Sequence, residues 1–191
     1  MTILILGLVL FLGVHSVRIV ADGWRTRTIA RAGEKRWKAI YTVISLVGFV
    51  LIVWGLAVAR RTPQLLYAPA LTWKHANALF TFVAFVLLAA AWVPRNHMKA
   101  ALGHPMAFGT AIWAIGHLLA TGMLHDAVLF AAFALWALAA FFAGRARDRA
   151  AGMIYPAGTW QGDLGALIGG AAIWALFAFF LHGWLIGVKP F

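Results

Sequence analysis

Seven histidines, five acids and no cysteine in 191 residues restrict the chemistry this chain can perform. Without thiols there is no disulfide, iron–sulfur cluster, thiolate nucleophile or thiolate-bound metal. The acids are too few, and too near the loops, to build a carboxylate cage for a hard cation. Histidine is therefore the candidate ligand. His75, His97, His104 and His125 fall at or near the ends of apolar runs, and His182 lies in the last part of one. Such positions are wetted and suit interfacial or structural roles. His15 and His117 lie inside apolar runs. Placing an ionisable side chain in lipid costs a few kcal/mol on insertion scales, so such residues face a bundle interior and have a partner.

The neighbours of these two residues sharpen the reading. Thr110, Trp113 and Thr121 lie at i−7, i−4 and i+4 from His117, so one stripe of its helix collects the polar side chains. Phe11 and Arg18 flank His15 a turn to either side, and Asp22 is within reach of Arg18 at i+4. The two stripes are expected to face each other. Two neutral imidazoles from separate helices can ligate a b-type haem on both sides, with aromatic walls and cations near the propionates. On that reading His15 and His117 are axial ligands to the haem iron, Arg18 is the propionate partner and Trp113 a wall, with His104 next in line as a ligand. Three other readings of the same residues stay open: histidines hydrogen-bonded to carbonyls for packing, a proton relay, and a metal site. Zinc would need a third or fourth ligand. His15 and His117 differ in expected depth by roughly 8–10 Å at 1.5 Å per residue, which a tilted ring or tilted helices must absorb.

The elements that must hold these side chains follow from composition. The chain is 64% hydrophobic and 11% charged, whereas a soluble domain carries roughly 45–50% apolar and about 25% charged residues. Neither a water-soluble globule nor a disordered chain has this balance. Apolar runs with loop signals between them cover residues 2–20, 38–59, 75–93, 105–124, 127–143 and 163–188. Each has the length of a helix that crosses a hydrocarbon core. Open strands would leave main-chain groups unpaired in lipid, and the alternation of a porin-type barrel is missing. The expected fold is all-α, a polytopic bundle of six transmembrane helices forming a single domain over residues 1–191. The first run has no basic segment before it and no cleavage pattern after it, and reads as an uncleaved anchor. The short turn at residues 122–126 makes the fourth and fifth spans antiparallel neighbours. Gly165 and Gly169, with the alanine-dense fifth span, provide close helix packing, within the chain or between two copies in a homo-oligomer.

The formal charge of +11 is mostly an orientation signal. Arg18, Arg25, Arg27, Arg31, Lys35, Arg36, Lys38, Arg95, Lys99, Arg145, Arg147 and Arg149 belong to loops on one side, twelve cations in all. Arg60, Arg61, Lys74 and Lys189, four in all, belong to the other. The positive-inside rule puts the twelve in the cytoplasm and both termini outside, in the periplasm of a bacterial inner membrane. No nucleic-acid reading module accompanies the charge. The loop from Asp22 to Lys38 carries Trp24 and Trp37 among its cations, the pattern of aromatic rings at headgroup depth beside anionic lipid.

At these residues the sequence resembles the NnrU family of bacterial integral membrane proteins. The likeness lies in Gly13-Val14-His15-Ser16-Val17-Arg18, Gly33-Glu34-Lys35-Arg36 running to Tyr41, Pro94-Arg95-Asn96, Gly103-His104-Pro105, and Ile112-Trp113-Ala114-Ile115-Gly116-His117 running to Gly122. It implies a setting in nitrite and nitric oxide metabolism, by the gene neighbourhood for which the family is named. The same motifs are similar to those of the plant and cyanobacterial 15-cis-ζ-carotene isomerases, which carry haem b. That similarity implies one haem b on His15 and His117. Ala114 stands where the isomerases have a cysteine three residues before the second ligand. The leading expectation is a haem-binding membrane protein with a redox or sensing role in denitrification, and a redox partner. One alternative is a haem-dependent cis–trans isomerase of a carotenoid or other lipophilic polyene. A second is a haem-free membrane assembly or transport factor.

Overall fold

The computed structural model describes residues 1–190, and among them the regular structure is helical apart from one isolated bridge between Leu65 and Met123. The nine α-helices are α1 (Thr2–Val20), α2 (Asp22–Ala32), α3 (Glu34–Ala59), α4 (Leu71–Trp92), α5 (His97–Leu102), α6 (Pro105–Ala120), α7 (Leu124–Ala150), α8 (Trp160–Leu176) and α9 (His182–Ile186). A π-helical turn over Phe177–Leu181 joins the last two. Five stretches are long and apolar enough to span a membrane, Trp160–Ile186 counting as one, and Pro105–Ala120 is a shorter apolar sixth. The chain is a polytopic all-α membrane protein. Its outward side chains fit lipid as solvent: Leu135 is 71% and Phe180 70% exposed, a surface that water would not tolerate over so many residues.

The loops depart from the sequence reading more than the spans do. The segment after the first span is not an open loop: Asp22–Ala32 forms α2, and α3 begins at Glu34, ahead of the apolar run. The helix α2 has no buried residue, so apolar periodicity could not reveal it. Gly33 at φ 86° makes the corner, a left-handed backbone that only glycine adopts without steric cost. The fifth span runs on to Ala150 because Arg145–Ala150 continue as good helix formers. The sixth is interrupted by the π turn, where the His182 N–H bonds back to the Phe177 carbonyl.

The spans pack in the spatial order α3, α1, α7, α6, α4, α8. Glycines set the tightest contacts, since in lipid close packing replaces the hydrophobic effect as the main source of helix adhesion. A Cβ on Gly48 would stand 2.7 Å from the Phe11 nitrogen, and one on Gly7 2.6 Å from that of Ile52. On α8 the close approach to α4 is made by Gly170, 2.5 Å from the Val86 Cα, while Gly165 and Gly169 make looser contacts. The buried small residues of this helix are Gly162, Ala166 and Gly170, whereas Gly165 stays exposed. As expected, α6 and α7 are neighbours, and the pairs His104 with Asp148 and His117 with Phe130 show them antiparallel. At the end opposite the cation-rich loops, the residues before α4 lie over the α6–α7 turn, with the Leu66 N–H on the Gly122 carbonyl at 2.8 Å and the Tyr67 hydroxyl on that of Leu118.

Candidate functional site

The helices α1 and α6 do not meet directly at the histidines; α7 stands between them with an aromatic face. Phe11 and Phe133 are 6.0 Å apart, Phe133 and Trp113 5.7 Å, and Trp113 and His117 5.2 Å between ring centroids. His15 lies 4.3 Å from Phe11, 5.1 Å from Tyr41 and 5.9 Å from Trp136, which meets it edge-on. His117 stacks on Phe130 at 4.5 Å. One continuous seam of rings thus links the two imidazoles, and the two stripes meet through α7 rather than face to face. His15 is level with Trp136 and His117 with Phe130, six positions apart on α7, or about 9 Å. The depth offset read from the sequence is present.

Both histidines are held in the same way. His15 Nδ1 is 2.6 Å from the Phe11 carbonyl oxygen, and His117 Nδ1 is 2.8 Å from that of Trp113. A carbonyl can only accept, so each Nδ1 carries a proton, and neither Nε2 makes a hydrogen bond among the described residues. A hydrogen bond of this kind on the other ring nitrogen is what orients a metal-ligating imidazole. Thr121 adds a hydroxyl donated to the His117 carbonyl at 2.8 Å, and Thr110 donates to its own helix at Met106. The Trp113 ring lies beside His117 on the same helix.

Arg18 opens the other part of the site. A cavity of about 290 Å³ is lined by His15, Arg18, Arg25, Glu34, Lys38 and Tyr41, among others, at the small end of the range for ligand sites, about 300–1,000 Å³. Asp22 bridges Arg18 at 4.0 Å and Arg25 at 3.9 Å, and Lys38 pairs with Glu34 at 2.7 Å. Three cations against these two acids leave a net positive charge beside the cavity, which suits an anionic group. The helix α2 closes this cavity, which is why a loop reading could not anticipate it.

His104 belongs to a different cluster. Its Nε2 donates to Asp148 Oδ2 at 2.7 Å, and the Tyr155 hydroxyl donates to the same oxygen. Burial, reinforced by the Asp148 carboxylate, pushes the Tyr155 hydroxyl up to about 12. A Cβ on Gly144 would come within 2.5 Å of the His104 ring. His104 thus ties α6 to the end of α7, away from the aromatic seam. His97 is likewise committed, to Asp163 through both its main-chain N–H and its ring at 2.8 and 2.7 Å.

Trp136 and Asn77 escaped the sequence reading, and His125, expected at a wetted end of its apolar run, is buried instead. Trp136 Nε1 is buried without a hydrogen-bond partner, on a ring that touches His15. Asn77 Oδ1 is also buried and unpartnered, against Gly116. His125 and Asp126 are buried at the start of α7, 3.5 Å apart. The sequence signal was present only for the last pair, two adjacent ionisable residues opening an apolar run.

The residues present fit a haem in donor chemistry: two imidazoles whose Nε2 atoms make no hydrogen bond among the described residues, a buried donor without an acceptor beside one of them, and cations at its cavity. Ligation of one haem by both histidines requires the Phe11, Phe133 and Trp113 rings to yield space. A bare metal finds less support, since among the described residues no group of three or more His, Asp or Glu side chains is placed to hold one. Compared with known families, the chain matches the model described as NnrU protein over residues 3–190. No curated protein and no solved structure matches it.

Proposed function

Because the chain belongs to the NnrU family, we propose that it is an inner-membrane protein that binds haem b through His15 and His117 and serves a redox or sensing role in nitrite and nitric oxide metabolism. The observation that carries this reading is the shared state of the two intramembrane histidines, each with Nδ1–H on the carbonyl one turn back and Nε2 without a hydrogen bond among the described residues. Arg18, Arg25 and Lys38 would hold the propionates at the cavity beside His15, and Trp113 and Phe130 would wall His117. Bound haem supplies one-electron chemistry between ferric and ferrous iron. The chain's own contribution is to fix the imidazole tautomers, exclude water with aromatic rings and neutralise the acid groups. If both imidazoles held the iron, the group would supply electron transfer or sensing rather than activation of a substrate.

The test is spectroscopic. The protein is expressed with ample haem, purified in detergent and recorded oxidised and reduced, alongside His15→Ala and His117→Ala. A Soret band at near-stoichiometric occupancy, weakened or changed in spin state by each substitution, is the expected result. An absent band overturns haem binding, and a band untouched by both substitutions overturns the ligand assignment.

A further inference from the structure

On the α1–α7 face lies a groove of about 550 Å³, lined by Ile5, Leu8, Leu12, Gly13, Val128 and Ala132 and reaching Ile19, Val20, Trp136 and Ala139 at the cation-rich end. Small residues make it: a Cβ added to Gly13 would meet nothing within 4 Å. From Ile5 to Val20 it follows α1 for about 22 Å, more than the roughly 15 Å thickness of one leaflet's hydrocarbon. The walls offer acyl-chain chemistry and almost no polar group. Where α1 ends, Arg147 Nη1 donates to the Arg18 carbonyl at 3.0 Å, so a guanidinium from α7 reaches the main chain next to Ile19, a lining residue at that end of the groove. The guanidinium fork has five N–H donors and prefers the geometry of a phosphate or carboxylate.

We propose that this groove is a specific site for one anionic glycerophospholipid of the leaflet at the cation-rich end, with an acyl chain between α1 and α7 and the phosphate on Arg147. The lipid completes a sparse helix–helix contact: α1 is packed closely on α3 through glycines, whereas its face toward α7 retains this open groove. The charge at the mouth selects an anionic headgroup over a zwitterionic one. The proposal is independent of haem binding.

Native mass spectrometry of the full chain released from mild detergent, then reloaded with phosphatidylglycerol or phosphatidylcholine, tests it. One retained adduct of phosphatidylglycerol mass is expected, with retention and thermal protection stronger than for phosphatidylcholine. Gly13→Phe and Ala139→Leu, which fill the groove from different sides, are expected to remove the adduct for both lipids. Arg147→Gln is expected to lower the preference for phosphatidylglycerol by about tenfold, the effect of one lost charge-assisted contact, while leaving a chain bound. Equal retention of the two lipids by the wild type, an adduct that survives both filling substitutions, or an occupant with the mass of a neutral polyene or a second copy of the chain overturns the proposal.

Discussion

Trp136 shows at the residue scale how a side chain can be useful because it is unsatisfied. A buried donor without an acceptor destabilises a protein by about 1–3 kcal/mol, and its indole N–H has none. Trp136→Phe removes that donor and keeps an aromatic ring beside His15. In thermal melts of haem-free protein the variant is expected to gain about 1 kcal/mol, while haem retention in competition with a soluble haem acceptor falls. A loss of stability in the haem-free melt would show the N–H to be satisfied already. Legibility in the sequence follows from the same physics. His15 and His117 stood out because an ionisable group in an apolar run is costly wherever it points. Trp136, Tyr41 and Asn77 did not, because their roles depend on which neighbour they touch, and that is fixed by packing across helices.

At the scale of elements, the spans were readable and their ends were not. Lipid demands a certain length of apolar helix, so all six runs recur as helices; nothing demands that a run's last apolar residue be the last helical one, and α3 and α7 extend into charge. The hairpin of α1 and α3 rests on backbone contact at glycine. A Cβ on Gly55 would lie 2.6 Å from the Leu4 Cα, so Gly55→Leu is expected to cost at least about 1–3 kcal/mol by overpacking. Gly13→Ala, into open space, should gain about 0.5–1 kcal/mol from helix propensity. Thermal melts of both variants in one detergent provide the comparison, and equal losses would contradict the packing argument. The joint of α6 with α7 carries a pH signature. The Tyr155 hydroxyl, raised to about 12 by burial and Asp148, holds its proton more tightly folded than unfolded, where the value is about 10. Its stabilising contribution is therefore complete below about pH 10 and lost as pH rises toward 12. Unfolding measured across that window should become easier with pH in the wild type and less steeply so in Tyr155→Phe.

For the whole molecule, charge and apolarity divide the chain into complementary parts: six spans, and cations distributed so that twelve belong to one end and four to the other. Arg147 and Arg18 meet where α1 and α7 end, Arg147 donating to the Arg18 carbonyl, while Arg145 turns to the other side of α7 and donates to the carbonyls of Ala101 and Leu102. That end holds the His15 cavity and the mouth of the α1–α7 groove, so orientation decides which compartment an anionic ligand approaches from. Translocating Lys and Arg is disfavoured in short loops, and on that ground the twelve are expected in the cytoplasm. The absence of cysteine makes a direct test clean, because a single introduced thiol is the only reactive one. Thr62→Cys and Ala151→Cys sit on exposed loop positions at opposite ends of the bundle. In intact cells, with the outer barrier made permeable, a membrane-impermeant maleimide is expected to label position 62 and to reach position 151 only after the inner membrane is opened. The reverse pattern would place the cation-rich end outside, and with it the cavity where the propionates are proposed to lie.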